Sequence, residues 1–221
     1  MTTIALCHFT LTTDIYSVMA EKCKQSIKDN MPNAVIKELV LEPDKKFKRT
    51  IDEAFYANLI KLKAWSENIE GNTIFLDADT IVLDDLSHVF ENDFDIAYTG
   101  RKGNIKFNSG VVFVKDSGKD AVKAWYDVCD RMFADRKLWH LWARKCYGYN
   151  QAAFAYLLEN YPFKKLELPS YIYNSCDVED WNHRTDDAKV FHIKSDLRMD
   201  MLKREVKRYP KAWERMAKYY T

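Results

Sequence analysis

Residues 73–77, Thr-Ile-Phe-Leu-Asp, constrain the fold of this chain more than any other stretch. A largely apolar run ends in the carboxylate of Asp77, a second carboxylate follows at Asp79, and Thr80-Ile-Val-Leu83 turns apolar again. A short continuous apolar run reads as a strand buried in a sheet. Alternate side chains of an extended chain project to the same side, so Asp77 and Asp79 are expected to face one spot at the end of that strand. Two carboxylates so spaced suit a hard divalent cation such as Mg²⁺ or Mn²⁺. A strand end that merely exits into solvent gives the same short pattern, so the rest of the chain must decide.

Upstream, residues 3–9 form a strand candidate, and Thr13 or Asp14 can cap a helix to about Asp29 with Tyr16, Met19, Ala20, Cys23 and Ile27 on one face. Residues 34–41 alternate as a second strand. Thr50-Ile-Asp-Glu53 is a capping-box pattern, opening a helix that turns Phe55, Leu59, Leu62 and Trp65 inward. The order βαβαβ predicts an α/β fold with a mostly parallel sheet, and ligands of such sheets sit at the carboxyl ends of the strands. Further strands are expected at residues 94–98, 107–115 and 189–193, with short ones near Leu166 and Tyr171. Helices are expected from Ser117 to about Phe133, over 150–160, near 197–206 and over 208–220. Cys129 falls on the apolar stripe of the first of these, which reads as core and not as a nucleophile.

The 221 residues carry only 6 Gly and 5 Pro, with no linker-like tract and 47% apolar residues, which favours one domain over residues 1–221. Its expected parts are a nucleotide-binding half over about 1–100, an acceptor half over about 101–195, and a basic helical tail over about 196–221. Thirty-four basic against 33 acidic residues exclude a molecule built as a whole for polyanions. Cys7, Cys23, Cys129, Cys146 and Cys176 are widely spaced with no C-x-x-C, so neither a zinc site nor a disulfide framework is indicated. Reduced thiols, no secretory signal and no apolar segment near the ~20 residues of a membrane span point to a cytoplasmic protein.

Several short motifs follow one another in a telling order. They are Thr10-Leu-Thr-Thr-Asp-Ile-Tyr16, Leu59-Ile-Lys61-Leu-Lys-Ala-Trp65, and the D-x-D run from Phe75 to Val82. Then come Phe107-Asn108-Ser109-Gly110, Asn150-Gln151, Leu168-Pro-Ser-Tyr-Ile-Tyr-Asn174 and Val190-Phe-His192-Ile-Lys194. Over roughly residues 3–195 the series resembles the GT-A glycosyltransferases, most closely the glycogenin-like family-8 group. The resemblance implies that Asp77, Asp79 and His192 hold Mn²⁺ or Mg²⁺ on the diphosphate of a nucleotide-sugar donor, with the Ala78 peptide between the carboxylates. Thr10, Leu11, Thr13 and Tyr16 would cradle the nucleobase and ribose, and Lys61 would reach the diphosphate or sugar. Asn108 and Ser109 would face the sugar, with Gly110 allowing close backbone approach, and Lys194 would place a cation on the leaving phosphate. Asn150 and Gln151 would lie at the reacting centre, although the family has an acid where this chain has Asn150. The activity implied is transfer of a hexose, from a UDP-sugar by preference, to a hydroxyl of a glycan or other acceptor.

Two other readings remain. Asp77-Ala-Asp79-Thr80 partly matches the D-x-D-x-T motif of haloacid-dehalogenase-type phosphatases, with Asp186-Asp187 as the late acidic pair, but that motif normally sits on the first strand. A non-catalytic nucleotide-sugar or nucleic-acid binding module is the other. From Arg198 to Lys218 the tail carries eight basic and three acidic residues, with Tyr209, Trp213, Tyr219 and Tyr220 close by. Such a tail suits either a membrane surface or phosphate backbone, or an amphipathic packing helix with a solvated basic face, the preferred reading.

Overall fold

The computed structural model describes residues 1–9, 15–42, 47–101, 106–194, 198, 201, 203 and 209–220. The chain opens β1 (Thr2–Phe9), α1 (Ile15–Asn30), β2 (Val35–Leu41), α2 (Thr50–Glu67) and β3 (Asn72–Asp77). β1 pairs in parallel with β2 on one side and β3 on the other, as the βαβαβ pattern predicts. Along β1 the two-residue alternation feeds two cores. Ile4 and Leu6 pack with Ala20, Cys23 and Ile27 of α1, while Ala5 and Cys7 pack with Phe55, Leu62 and Trp65 of α2. The expected capping box does not form. Arg49 occupies the cap position without a side-chain bond, its carbonyl taking the amides of Asp52 and Glu53, so Thr50 is already helical.

The remaining elements are β4 (Thr80–Val82), β5 (Ile96–Gly100), β6 (Phe107–Val114), α3 (Lys119–Ala134), α4 (Arg136–Ala143) and α5 (Tyr149–Asn160). β7 (Lys165–Pro169), α6 (Ser170–Tyr173), α7 (Val178–His183), β8 (Val190–His192) and a C-terminal helix, Pro210–Met216, follow. The six-stranded sheet has the order β2-β1-β3-β6-β5-β7. Only β6 runs against the others, so the sheet is mostly parallel. β4 and β8 form a separate antiparallel pair that sets Thr80 opposite His192. That register brings a residue from late in the chain beside the D-x-D.

Several elements differ from expectation, among them β4 and α7, which the sequence pattern does not indicate. The strand expected at 94–98 runs two residues later, with Phe94 buried beside Phe90 instead. Tyr171 lies in a helix and not a strand, because Pro169 lacks the amide that would continue the ladder. Tyr173 then reaches the ring of His88, 2.9 Å away. Helix α4 is not among the expected elements, yet its start is written in the sequence: Asp135 caps it by accepting from the amides of Lys137 and Leu138.

The tail packs by its apolar side. Met201, Ala212, Met216, Tyr219 and Tyr220 are buried against Met19, Ile81, Trp181, Phe191 and Ile193. Tyr219 and Tyr220 are therefore spent in the core and are not available to stack on bases. Residues 195–197, 199–200, 202 and 204–208 of the expected tail helices lie outside the described residues. No helix of the described residues is long and apolar enough to cross a membrane.

Candidate active site

Asp77 closes β3, while Asp79 sits in the two-residue turn before β4, so a turn rather than strand pleating brings the two carboxylates together. The Thr80 hydroxyl donates to the Asp77 carbonyl at 2.8 Å, and the Ile193 amide donates to the Asp79 carbonyl at 2.7 Å. Both ends of the turn are thus tied down, one locally and one to the strand that carries His192.

Asp77, Asp79 and His192 each offer an atom within 4.8 Å of the other two. The His192 Nε2 lies 3.1 Å from Asp79 and 4.0 Å from Asp77. The ring's tautomer follows from what stands behind it. The Asn174 amide nitrogen is bound to Thr99, whose hydroxyl donates to the Asn108 carbonyl, so the Asn174 oxygen faces the His192 Nδ1 at 2.9 Å. Nδ1 therefore carries the proton, and Nε2 turns a lone pair toward two carboxylates. Three converging acceptors leave a place for a cation among them, beside the Lys61 and Arg198 charges that already meet the two carboxylates. Burial pushes the imidazole down, against its becoming that cation itself. Burial alone would raise the Asp79 carboxyl, but the positive charges of Arg198 and then Lys194 near it act to lower it. Two carboxylates and an imidazole with its second nitrogen anchored are a fitting donor set for a divalent cation.

Gly110 makes this placement possible. A Cβ there would stand 2.2 Å from Cε1 and 2.3 Å from Nδ1 of His192. Its neighbour Asn108 is buried, and its oxygen accepts the Gly110 amide at 2.7 Å.

A cleft of about 430 Å³ opens over the triad. Lys61, Asn108, Ser109, Gln151 and Lys194 line it, together with Asn58 and Arg198. Lys61 is buried on α2, 2.5 Å from Asp77 and 3.4 Å from the Ser109 carbonyl, its ammonium over the Trp65 ring. Gln151 enters the cleft at the start of α5. The preceding Gly148 has φ +127°, and a Cβ there would strike the Gln151 carboxamide at 2.3 Å. Asn150 does not line the cleft; it is fully buried behind it, its amide on the Ser109 hydroxyl at 2.9 Å. The Ala78 methyl is buried in the core, so only its backbone is near the site. Tyr16 is half-buried at the start of α1 and receives a hydrogen bond from Arg198 at 2.9 Å. Thr10, Leu11 and Thr13 lie outside the described residues.

Arg198, Asn58 and Asn174 carry contacts that the sequence reading did not assign. Asn58 lies one turn before Lys61 on the same helical face, a spacing that could have found it. In the sequence, Arg198 reads only as tail charge and Asn174 only as the end of a motif. Asp186 and Asp187 are exposed and do not line the cleft. All five cysteines are buried and unpaired, and burial raises the Cys7 and Cys23 thiols to about 12.

No protein-family model and no curated protein matches the sequence. Solved structures do match in shape. A glycosyltransferase involved in glycosylation of the major capsid of PBCV-1 superposes with a TM-score of 0.65 at 15% identity, covering 100% of this chain and 99% of that one. The galactosyltransferase LgtC, solved with donor and acceptor sugar analogs, matches at 0.60 and 14%, covering 100% and 95%. The glycosyltransferase GlyE of Streptococcus pneumoniae TIGR4 matches at 0.61 and 14%, where 99% of this chain spans 64% of the longer protein. The chain therefore has the GT-A fold of these glycosyltransferases.

Proposed function

We propose that the protein is a metal-dependent glycosyltransferase that moves a hexose from a nucleotide diphosphate sugar, a UDP-sugar by preference, to a hydroxyl of a glycan or other acceptor. The single observation that carries this reading is the convergence of Asp77, Asp79 and the His192 Nε2 at the carboxyl end of β3, in a cleft lined by further cations. The activities of the capsid glycosyltransferase and of LgtC agree with it.

Asp77, Asp79 and His192 would hold Mn²⁺ or Mg²⁺. When bound, the ion neutralises charge that develops on the departing diphosphate. The protein supplies the rest. Lys61 and Lys194 place positive charge at the same mouth, where it stabilises the leaving group, and Arg198 adds a third cation there. Asn108, Ser109 and Gln151 form the polar wall that orients the sugar, and the buried Asn150 fixes the Ser109 hydroxyl. In the transfer the bond from the anomeric carbon to the diphosphate oxygen breaks and a bond to the acceptor oxygen forms. The acceptor's proton leaves with the diphosphate or to solvent.

The test is release of UDP from UDP-hexoses in the presence of Mn²⁺ and a panel of hydroxyl acceptors. Turnover should require metal and vanish in His192→Ala. Steady phosphate release from an aryl phosphate, lost in Asp77→Asn, would instead favour a phosphatase.

A further inference from the structure

Each carboxylate of the D-x-D holds a cation belonging to the protein. Lys61 sits on Asp77, and the Arg198 guanidinium sits on Asp79. The two cations are held differently. Lys61 is buried on a long helix, whereas Arg198 comes from the segment after β8 and keeps part of its side chain exposed. Arg198 also donates to the Tyr16 hydroxyl at 2.9 Å and to the Ile193 carbonyl at 3.4 Å, and it lies over the Tyr16 ring. Asp79 is the only carboxylate bound to Arg198 among the described residues.

A divalent ion that takes Asp79 meets a fixed positive charge already on the same carboxylate. Like charges at that separation repel strongly in a partly buried cleft, and an arginine cannot relieve the repulsion by losing its proton. The guanidinium can leave Asp79 without becoming an uncompensated charge only if another anion replaces it, and its planar fork suits a phosphate oxygen pair.

We propose that Arg198 is a tethered counter-ion that competes with the metal for Asp79, and that it makes metal binding and nucleotide diphosphate binding depend on each other. The inference rests on the metal reading of the site given above. Arg198 is a positioning residue here: it sets the order and strength of ligand binding through Asp79.

The experiment measures Mn²⁺ binding by the free-ion electron paramagnetic resonance signal, with and without UDP, for the wild-type chain, Arg198→Gln and Arg198→Lys. In the wild type, UDP should tighten Mn²⁺ binding by about 5–150-fold, the usual range of coupling between two sites. Arg198→Gln should bind Mn²⁺ alone several-fold more tightly than the wild type and lose most of the gain from UDP. Arg198→Lys keeps the charge and should bind Mn²⁺ alone as weakly as the wild type, which separates charge competition from damage to the fold. Equal or weaker Mn²⁺ binding by Arg198→Gln without UDP would overturn the proposal. Failure of the metal reading has a different signature: no Mn²⁺ bound by any of the three proteins, with or without UDP.

Discussion

Asp77 and Asp79 stand two residues apart in sequence, yet the protein treats them in opposite ways. The Asp77 side chain is 26% exposed, but its partner Lys61 is buried to 7%. The Asp79 side chain is 9% exposed, while its partner Arg198 retains 21% and has a hydroxyl and a carbonyl to fall back on. Asp77 therefore serves the fold as well as the cleft, since it neutralises an ammonium that the helix holds inside. Asp79 serves the site, since it meets both the imidazole of His192 and the guanidinium. The inequality means that the two carboxylates should fail differently when neutralised.

Asp77→Asn strands the Lys61 ammonium, and breaking a buried pair on one side costs about 3–5 kcal/mol. Thermal melting of this variant should fall the furthest, by about 6 °C or more in a chain of this size. Asp79→Asn should melt closer to the wild type; the reverse ranking would break the comparison. Gly110→Ala comes next. Its methyl must displace the His192 ring, at about 1–3 kcal/mol of overpacking, and Mn²⁺ titration should show affinity reduced along with stability. Asn174→Ala leaves more room but frees the ring, and loss of such a support costs about 10–100-fold in metal affinity. A metal titration with affinity unchanged would show that Nε2 is not held by the Asn174 relay.

The smallest effect is on pH. The imidazole of His192 is pushed below its ordinary 6.5 by burial, so the unfolded chain binds its proton more readily. Metal-free stability should thus fall as pH drops below about 6.5, with a slope from this group of at most about 1.4 kcal/mol per pH unit. Urea melts of the wild type and His192→Gln between pH 7 and 5 isolate that slope.

The parallel core was legible because local pattern and tertiary role agree there: β1, β3 and α2 are apolar in the period of the element they form. The D-x-D corner was legible too, though for a partly different reason. Its two carboxylates meet through a turn closed by Thr80, not through the pleat that the spacing suggested. His192 was reachable only through its motif, since its approach depends on β4 and β8 pairing across more than a hundred residues. Arg198 and Asn174 carry no periodic signal at all. What gives them a role is where β8 and α6 leave them, and that position is set by long-range packing. Tyr171 shows the converse, a strand-like pattern ended by the proline just upstream.

The most direct test of the metal-nucleotide site is calorimetric titration of UDP into the protein with and without Mn²⁺, repeated on Asp79→Ala. UDP binding should require Mn²⁺ and disappear in Asp79→Ala while the variant stays folded. Equal UDP binding in both proteins, or binding indifferent to the metal, would contradict this reading of the site.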